Sequence, residues 1–275
     1  MTFDELFHLY YEKHCKLRTK CPENAFYFYR VHKEQWKGRR IADIEQAEVQ
    51  DWCDELATRS KSAATRAVNM MSACINWGIK RGYYKGLNPC VGVEKYDVRA
   101  RERFLLPEEM DRFMTALNQS PAHDFFLVCL LTGARRGNVC AMRWDEVDLK
   151  LAIWTFDNKN GERHTVALSD PVVTILTTRK RSGEWVFPGR NGGHYKEPKR
   201  AWKAILRRAE ITNLRIHDLR RTLGSYLAIQ GFNEVLIGKQ LGHRDPRSTR
   251  IYARLNLAPL RAALHSVNTY WGLSM

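Results

Sequence analysis

Through most of the first hundred residues, apolar side chains return every three or four positions, a period that confines this segment to packed helices. The stretch TFDELFHLYYEKHC puts Phe3, Leu6, Phe7, Tyr10 and Tyr11 on one face, with Thr2 placed to cap it. A second helical pattern covers roughly Pro22 to Trp36, and QAEVQDWCDELATR gives a third through Val49, Trp52, Cys53 and Leu56. SAATRAVNMMSACINWGIKRG carries a fourth through Val68, Met71, Ile75 and Ile79, stopping at Gly82. Four amphipathic helices of this length make a small bundle.

The pattern then breaks. EKYDVRARERFLLPEEM is dominated by charge and leads to Pro107, a residue suited to a helix start. The expected organisation is therefore a bundle over 1–97, a linker over 98–103 and a second domain over 104–275. In that second domain a Phe- and Leu-rich helix ends at LTGARRGN. LAIWTF and RHTVAL alternate like strands around DNKNGE, whose Asn160-Gly161 suits a hairpin turn. From Pro198 the pattern is helical again, with breaks at Gly231 and LGHRDP. The fold class expected is mainly α with a small antiparallel β-sheet.

The 275 residues carry a formal net charge of +15, which points to an anionic partner, most simply nucleic acid. The charge is uneven: residues 1–97 hold 16 Lys/Arg against 13 Asp/Glu, and the remainder holds 29 against 17, so the second domain carries most of the excess. The longest apolar run, FFLVCLL at 125–131, is too short to span a bilayer, and the N-terminus lacks the layout of a secretory signal. No membrane partner and a cytoplasmic location are expected. The 7 cysteines are scattered without a CxxC pair, as reduced thiols would be. Cys15 and Cys21 with His14 find no second ligand pair at zinc-site spacing, so no metal site is expected.

Five short elements carry the chemistry. IHDLRRTLGSYLAIQG places His217 and Arg220 on one side of a helix whose Leu219, Leu223 and Leu227 can face a core. Arg135 follows a glycine turn in TGARRGN, Lys159 sits near a hairpin tip, and His243 ends LGH. Tyr252 follows nine residues later, in a stretch crowded with arginine. Taken singly, His217 and Arg220 read better as a solvated polar face and Lys159 as a surface lysine, and Tyr252 reads as either a packing ring with a polar tip or a nucleophile. Together, TGAR, a hairpin lysine, HDLR, LGH and the tyrosine, in this order and on a basic chain, resemble the tyrosine recombinase, or phage integrase, family. The wording LLTGARRGNVCAMRWDEVDL is most similar to integrases of prophages and genomic islands.

The resemblance implies a core-DNA-binding four-helix bundle followed by an α+β catalytic domain. It implies a site-specific recombinase that cleaves and rejoins DNA through a covalent 3′-phosphotyrosine, integrating or excising a mobile element. In that pattern Arg135, Arg220 and His243 hold the phosphate and His217 assists proton transfer. Lys159 is the general acid for the leaving 5′-hydroxyl, and Tyr252 is the nucleophile. No cofactor is implied, because the chain's own cations stabilise the charge that grows on the phosphate oxygens. The implied partners are double-stranded attachment sites, further copies of the chain in a synaptic tetramer, and DNA-bending or excision proteins. Lys61, Thr65, Arg66 and Asn69, at the start of the fourth helix, are candidates for entering a major groove.

A type IB topoisomerase shares the catalytic set, and a DNA-binding regulator could keep the fold; length, bundle and apolar C-terminal strip favour recombination. Integrases of this kind often carry an arm-binding domain ahead of the bundle, whereas this sequence begins at the bundle. One departure from the family pattern is Asn138, three residues after Arg135, where glutamate is usual. Near the nucleophile candidate, Asp245-Pro246 breaks the chain, and Ser248 or Thr249 is expected to cap a short helix bearing Tyr252. Tyr226 and Tyr270 are expected to pack. Beyond Pro259, the strip Leu257, Leu260, Leu264, Val267 and Trp271 needs a surface to bury it, and in this family the terminal helix docks on a neighbouring subunit.

Overall fold

The computed structural model describes residues 1–97, 101–157, 161–190, 192–196, 198–243 and 245–253, together with residues 255, 257, 264 and 267. The chain divides into two compact units, Met1–Ala100 and Arg101–Met275.

In the first unit, α1 spans Phe3–Tyr10 and continues through a π-helical turn, Tyr11–Cys15, into the short α2, Lys16–Arg18. Thr2 caps α1 with a reciprocal pair: Glu5 N donates to Thr2 Oγ1 at 3.2 Å, and Thr2 N donates to Glu5 Oε2 at 2.8 Å. Next come α3, Glu23–Trp36, and α4, Gln46–Lys80. The long α4 is two helices joined across Ser60, whose backbone (φ −165°, ψ 106°) is extended. Ser60 Oγ accepts from Ala63 N at 3.3 Å and so caps the second half. Apolar faces meet in a core that includes Phe3, Leu6, Phe7, Trp36, Val49, Val68, Met71 and Ile75. Phe7 stacks on Tyr29 with centroids 4.3 Å apart.

The second unit begins with α5, Pro107–Asn118, α6, His123–Thr132, and the short α7, Arg136–Cys140. Three antiparallel strands follow in the order β1 (Val147–Asp148), β2 (Ile153–Asp157) and β3 (Arg163–Ala167). The register pairs Trp154 with Val166 and Phe156 with His164. Period-two alternation thus turns Trp154, Phe156, Val166 and, partly, His164 toward the core. The chain continues through α8, Asp170–Thr178, α9, Pro198–Arg208, α10, Ile216–Ile229, α11, Glu234–Leu241, and α12, Arg247–Ala253. Phe113, Phe126, Val139, Trp154, Trp202, Ile205 and Leu219 are among the buried side chains of the main core. A separate buried cluster joins Ala228, Ile237, Leu241 and Tyr252.

Candidate active site

Three segments of the second unit build the site. The first is the turn after α6. Gly133 ends that helix in the left-handed region at φ +65°, and a Cβ there would meet Leu241 Cδ2 at 2.5 Å and Leu223 Cδ2 at 2.9 Å. Only glycine satisfies both the backbone and the close approach. The turn delivers Arg135, the exposed N-cap residue of α7, whose carbonyl accepts from Asn138 N at 2.8 Å. Arg135 forms no ion pair among the described residues; an amide stands at 138 where a carboxylate could have paired with it.

The second segment is α10. Its first turn is fixed by Asp218, a carboxylate only 1% exposed. Asp218 Oδ2 accepts from Arg215 N at 2.8 Å and from Arg101 Nε at 3.0 Å, and Oδ1 accepts from Arg221 Nη1 at 3.4 Å. A buried carboxylate that meets several donors at the start of a helix anchors the helix N-terminus. With that turn fixed, His217 keeps an exposed edge while neighbouring groups desolvate part of its ring, and Arg220 points inward, 5% exposed. Arg220 Nη1 donates to the Gly133 carbonyl at 2.8 Å, while its buried Nη2 has no hydrogen-bond partner among the described residues. Burial, then repulsion from Arg135, lowers the Arg220 pKa to about 10, with Tyr252 opposing. A buried N–H left unpaired is costly, and here it offers a socket for an anionic oxygen.

The third segment runs from α11 to α12. The capping expected of Ser248 or Thr249 is performed by Asp245: its Oδ1 accepts from Arg247 N at 2.9 Å and its carbonyl from Ser248 N at 2.9 Å. A carboxylate just ahead of the helix meets the free N–H groups first, which leaves the Thr249 side chain for another partner. Thr249 is buried, and its Oγ1 lies 2.8 Å from His243 Nδ1, a pair in which the tautomer decides the donor. Burial, then Arg220 and Arg135, push the His243 pKa down to about 4.

Tyr252, on α12, is 3% exposed. Its ring lies against α10 at Gly224, where a Cβ would stand 2.6 Å from Tyr252 Cζ, and it is parallel to the His243 ring with centroids 6.4 Å apart. Burial raises the phenol pKa, and Arg220 and Arg221 pull it down. A packing role and proximity to Arg220 coexist in this one side chain.

Arg135, His217, Arg220, His243 and Tyr252 thus share one neighbourhood. His217 has its pKa lowered by burial and then by Arg220 and Arg221. Sequence reasoning missed His164, on β3. Its ring lies against Gly242 and edge-on to Phe156, and its pKa is lowered by burial, against the Gln240 backbone carbonyl, with Arg220 and Arg135 adding to the lowering. The signal was present: alternation in RHTVAL puts His164 on the same face as Val166. Lys159 lies outside the described residues, as do Tyr270, Leu260 and Trp271. Tyr226 Oη is buried with no hydrogen-bond partner among the described residues.

The groove-entering candidates lie in the first unit. Lys61, Arg66 and Asn69 are exposed, while Thr65 Oγ1 donates to the Tyr96 carbonyl at 3.4 Å and Lys61 Nζ sits 5.6 Å from the Tyr96 ring centre. A cavity of about 810 Å³ in the second unit shares no residue with this candidate cluster and is lined in part by Arg190, Lys196, Arg200 and Arg208. No cluster of His, Cys, Asp or Glu suited to a metal ion occurs among the described residues, and none of the described helices is long and apolar enough to cross a membrane.

Comparison with known proteins places these observations in a family. The prophage integrase IntF of Escherichia coli K12 is 24% identical over 239 residues, covering 80% of this chain and 51% of that protein. The integrase of Salmonella phage P22 is 27% identical over 194 residues, covering 64% of this chain and 49% of its own length. The chain therefore spans about half the length of these curated relatives. In fold it is similar to lambda integrase, solved as a tetramer bound to a Holliday junction, with a TM-score of 0.73 at 15% identity over 90% of this chain and 78% of that one. The sequence profile of the phage integrase family matches residues 103–258, from just before α5 to beyond α12. This protein belongs to the phage integrase family.

Proposed function

We propose that this chain is a site-specific DNA recombinase of the integrase type, which cuts and rejoins DNA at the attachment sites of a mobile element through a phosphotyrosine. The observation that carries this reading is the buried Nη2 of Arg220, without a hydrogen-bond partner among the described residues, beside Arg135 and the Tyr252 phenol. A phosphodiester under attack gathers charge on its non-bridging oxygens, and fixed guanidinium donors in a water-poor site stabilise that charge. Tyr252 Oη attacks phosphorus, and the bond to the 5′-oxygen breaks. The phenolic proton passes to a neutral histidine, for which His217 is exposed and suitably neutral. Lys159 protonates the departing 5′-oxygen. A neutral His243 whose Nδ1 accepts from Thr249 keeps Nε2–H as a phosphate donor. The ester keeps the energy of the broken bond, so rejoining needs no ATP.

Duplex DNA is contacted mainly at phosphates, with Lys61, Thr65, Arg66 and Asn69 as candidate groove residues and the cavity bearing Arg190, Lys196, Arg200 and Arg208 as a second basic surface. Four copies act on paired sites, a reading supported by the lambda integrase tetramer on a Holliday junction. Bending and excision proteins are expected as accessories, and the bacterial nucleoid as the place of action. The test uses nicked duplexes spanning the ends of the element that carries the gene. A protein–DNA adduct that survives detergent and vanishes in Tyr252→Phe supports the reading. An adduct that persists in that variant overturns it, and nicking and resealing without exchange between two duplexes favours a topoisomerase-like activity.

A further inference from the structure

Gln240, on the last turn of α11, makes three hydrogen bonds that tie separate parts of the site together. Its Oε1 accepts from Ala167 N at 3.2 Å, and its Nε2 donates to the Ala167 carbonyl at 3.1 Å and to the Thr132 carbonyl at 3.2 Å. Ala167 ends β3, the return strand of the hairpin between whose strands Lys159 falls in sequence. Thr132 ends α6, and its neighbour Gly133 gives Arg220 the carbonyl described above. One amide therefore holds β3 and the turn before Arg135 to the helix that ends just before His243.

A second contact reinforces the seat. Gly242 caps α11 at φ +63°, and a Cβ there would lie 2.7–3.0 Å from His164 Nε2, Cε1 and Cδ2. The His164 ring, also on β3, rests where any larger residue at 242 would stand. A primary amide is the smallest side chain that can accept from one backbone N–H and donate to two carbonyls together.

From this juxtaposition we infer that Gln240 is a positioning residue for the hairpin: it fixes β3 against α6 and α11, and so governs how the general acid Lys159 is delivered to the leaving 5′-oxygen. The inference rests on the recombinase reading and adds a residue to it. A general acid contributes roughly 10²–10⁴-fold to a proton-requiring step, so loosening its support costs part of that factor while leaving attack by Tyr252 in place.

The experiment compares Gln240→Met, of similar length and without hydrogen bonds, with the unaltered full chain on nicked element-end duplexes. One duplex has the ordinary bridging 5′-oxygen at the scissile phosphate; the other has sulfur there, which leaves as a thiolate and needs no proton. The expected result is adduct formation slowed about 10- to 100-fold on the oxygen substrate and restored to within about threefold on the sulfur substrate. In a Lys159→Ala background the Gln240 substitution should add little further loss. Equal slowing on both substrates, or full additivity with Lys159→Ala, overturns the positioning role. Gln240→Glu, which keeps the bond from Ala167 N but loses both donors, gives the same comparison should the Met variant melt early. If the unaltered chain forms no adduct on either duplex, or Tyr252→Phe still forms one, the recombinase reading itself fails; the two failures are therefore distinct.

Discussion

Arg220 Nη1 and the Gly133 carbonyl lie 2.8 Å apart, so the turn that presents one candidate phosphate-binding arginine is held in place by the other. Arg220→Lys retains a charge but loses the planar fork that reaches the carbonyl and a phosphate oxygen at once. Adduct formation is expected to fall by about 10²–10³-fold. Duplex binding, measured by gel shift, should change only a few-fold. Undiminished cleavage by the lysine variant would remove Arg220 from the chemistry.

Gly224 and Tyr252 give a steric test. In Gly224→Ala the new methyl group would stand 2.6 Å from Tyr252 Cζ, so the ring or α12 must shift. Overpacking of this kind costs about 1–3 kcal/mol, and a displacement near 1 Å at a reacting atom costs on the order of 10²-fold in rate. Thermal melting and adduct assays should show both losses. Normal cleavage would mean that the seat against α10 is not where Tyr252 reacts.

The histidines set a pH dependence of stability. His243 has a folded pKa of about 4, against roughly 6.5 in an unfolded chain. Between those values the unfolded chain binds more protons, so stability is complete above about pH 6.5 and is lost as pH falls toward 4. His217 and His164, also lowered, act in the same direction. The unfolding free energy of the unaltered protein should fall more steeply across this window than that of His243→Asn, by roughly 1–3 kcal/mol after allowance for partial exposure, as read from denaturant titrations at each pH. Parallel curves would show that the environment of His243 is more hydrated than its neighbours imply.

Under the proposed mechanism cleavage proceeds undiminished in excess EDTA, because guanidinium and imidazole donors of the chain would supply the stabilisation of phosphate charge. A strict Mg²⁺ requirement on a nicked substrate would contradict the mechanism.

Removal of residues 256–275 should abolish recombination and spare duplex binding. Leu257, Leu264 and Val267 are all exposed in the isolated chain, with Leu264 at 54%, which suits a strip that meets another copy. Unchanged recombination by the truncated protein would refute docking between subunits.

Much of this was legible in the sequence because the signals are local. The 3.6-residue period marked the helices of the bundle, and strand alternation around DNKNGE marked β2 and β3. Short motifs pointed to Arg135, Arg220, His243 and Tyr252, which the fold gathers into one site. What escaped depends on partners distant in sequence. Gln240 looks like an ordinary polar helical residue until Ala167 and Thr132 arrive beside it, and nothing in HDLR shows that Asp218 will be buried under Arg101. Thr249 reads as a cap in the sequence because only the fold shows that the carboxylate of Asp245 reaches the free N–H groups first.

The burial of Tyr252 among Ala228, Ile237 and Leu241 bears on which nucleophiles this scaffold can accept. A serine or cysteine at 252 would place a reactive atom on a shorter stem and also leave a void the size of a phenyl ring, a loss of roughly 3–5 kcal/mol for comparable aromatic truncations. If Tyr252 is the nucleophile, as proposed, volume as well as chemistry holds tyrosine at that position. Any evolutionary route to another attacking group must first refill that space.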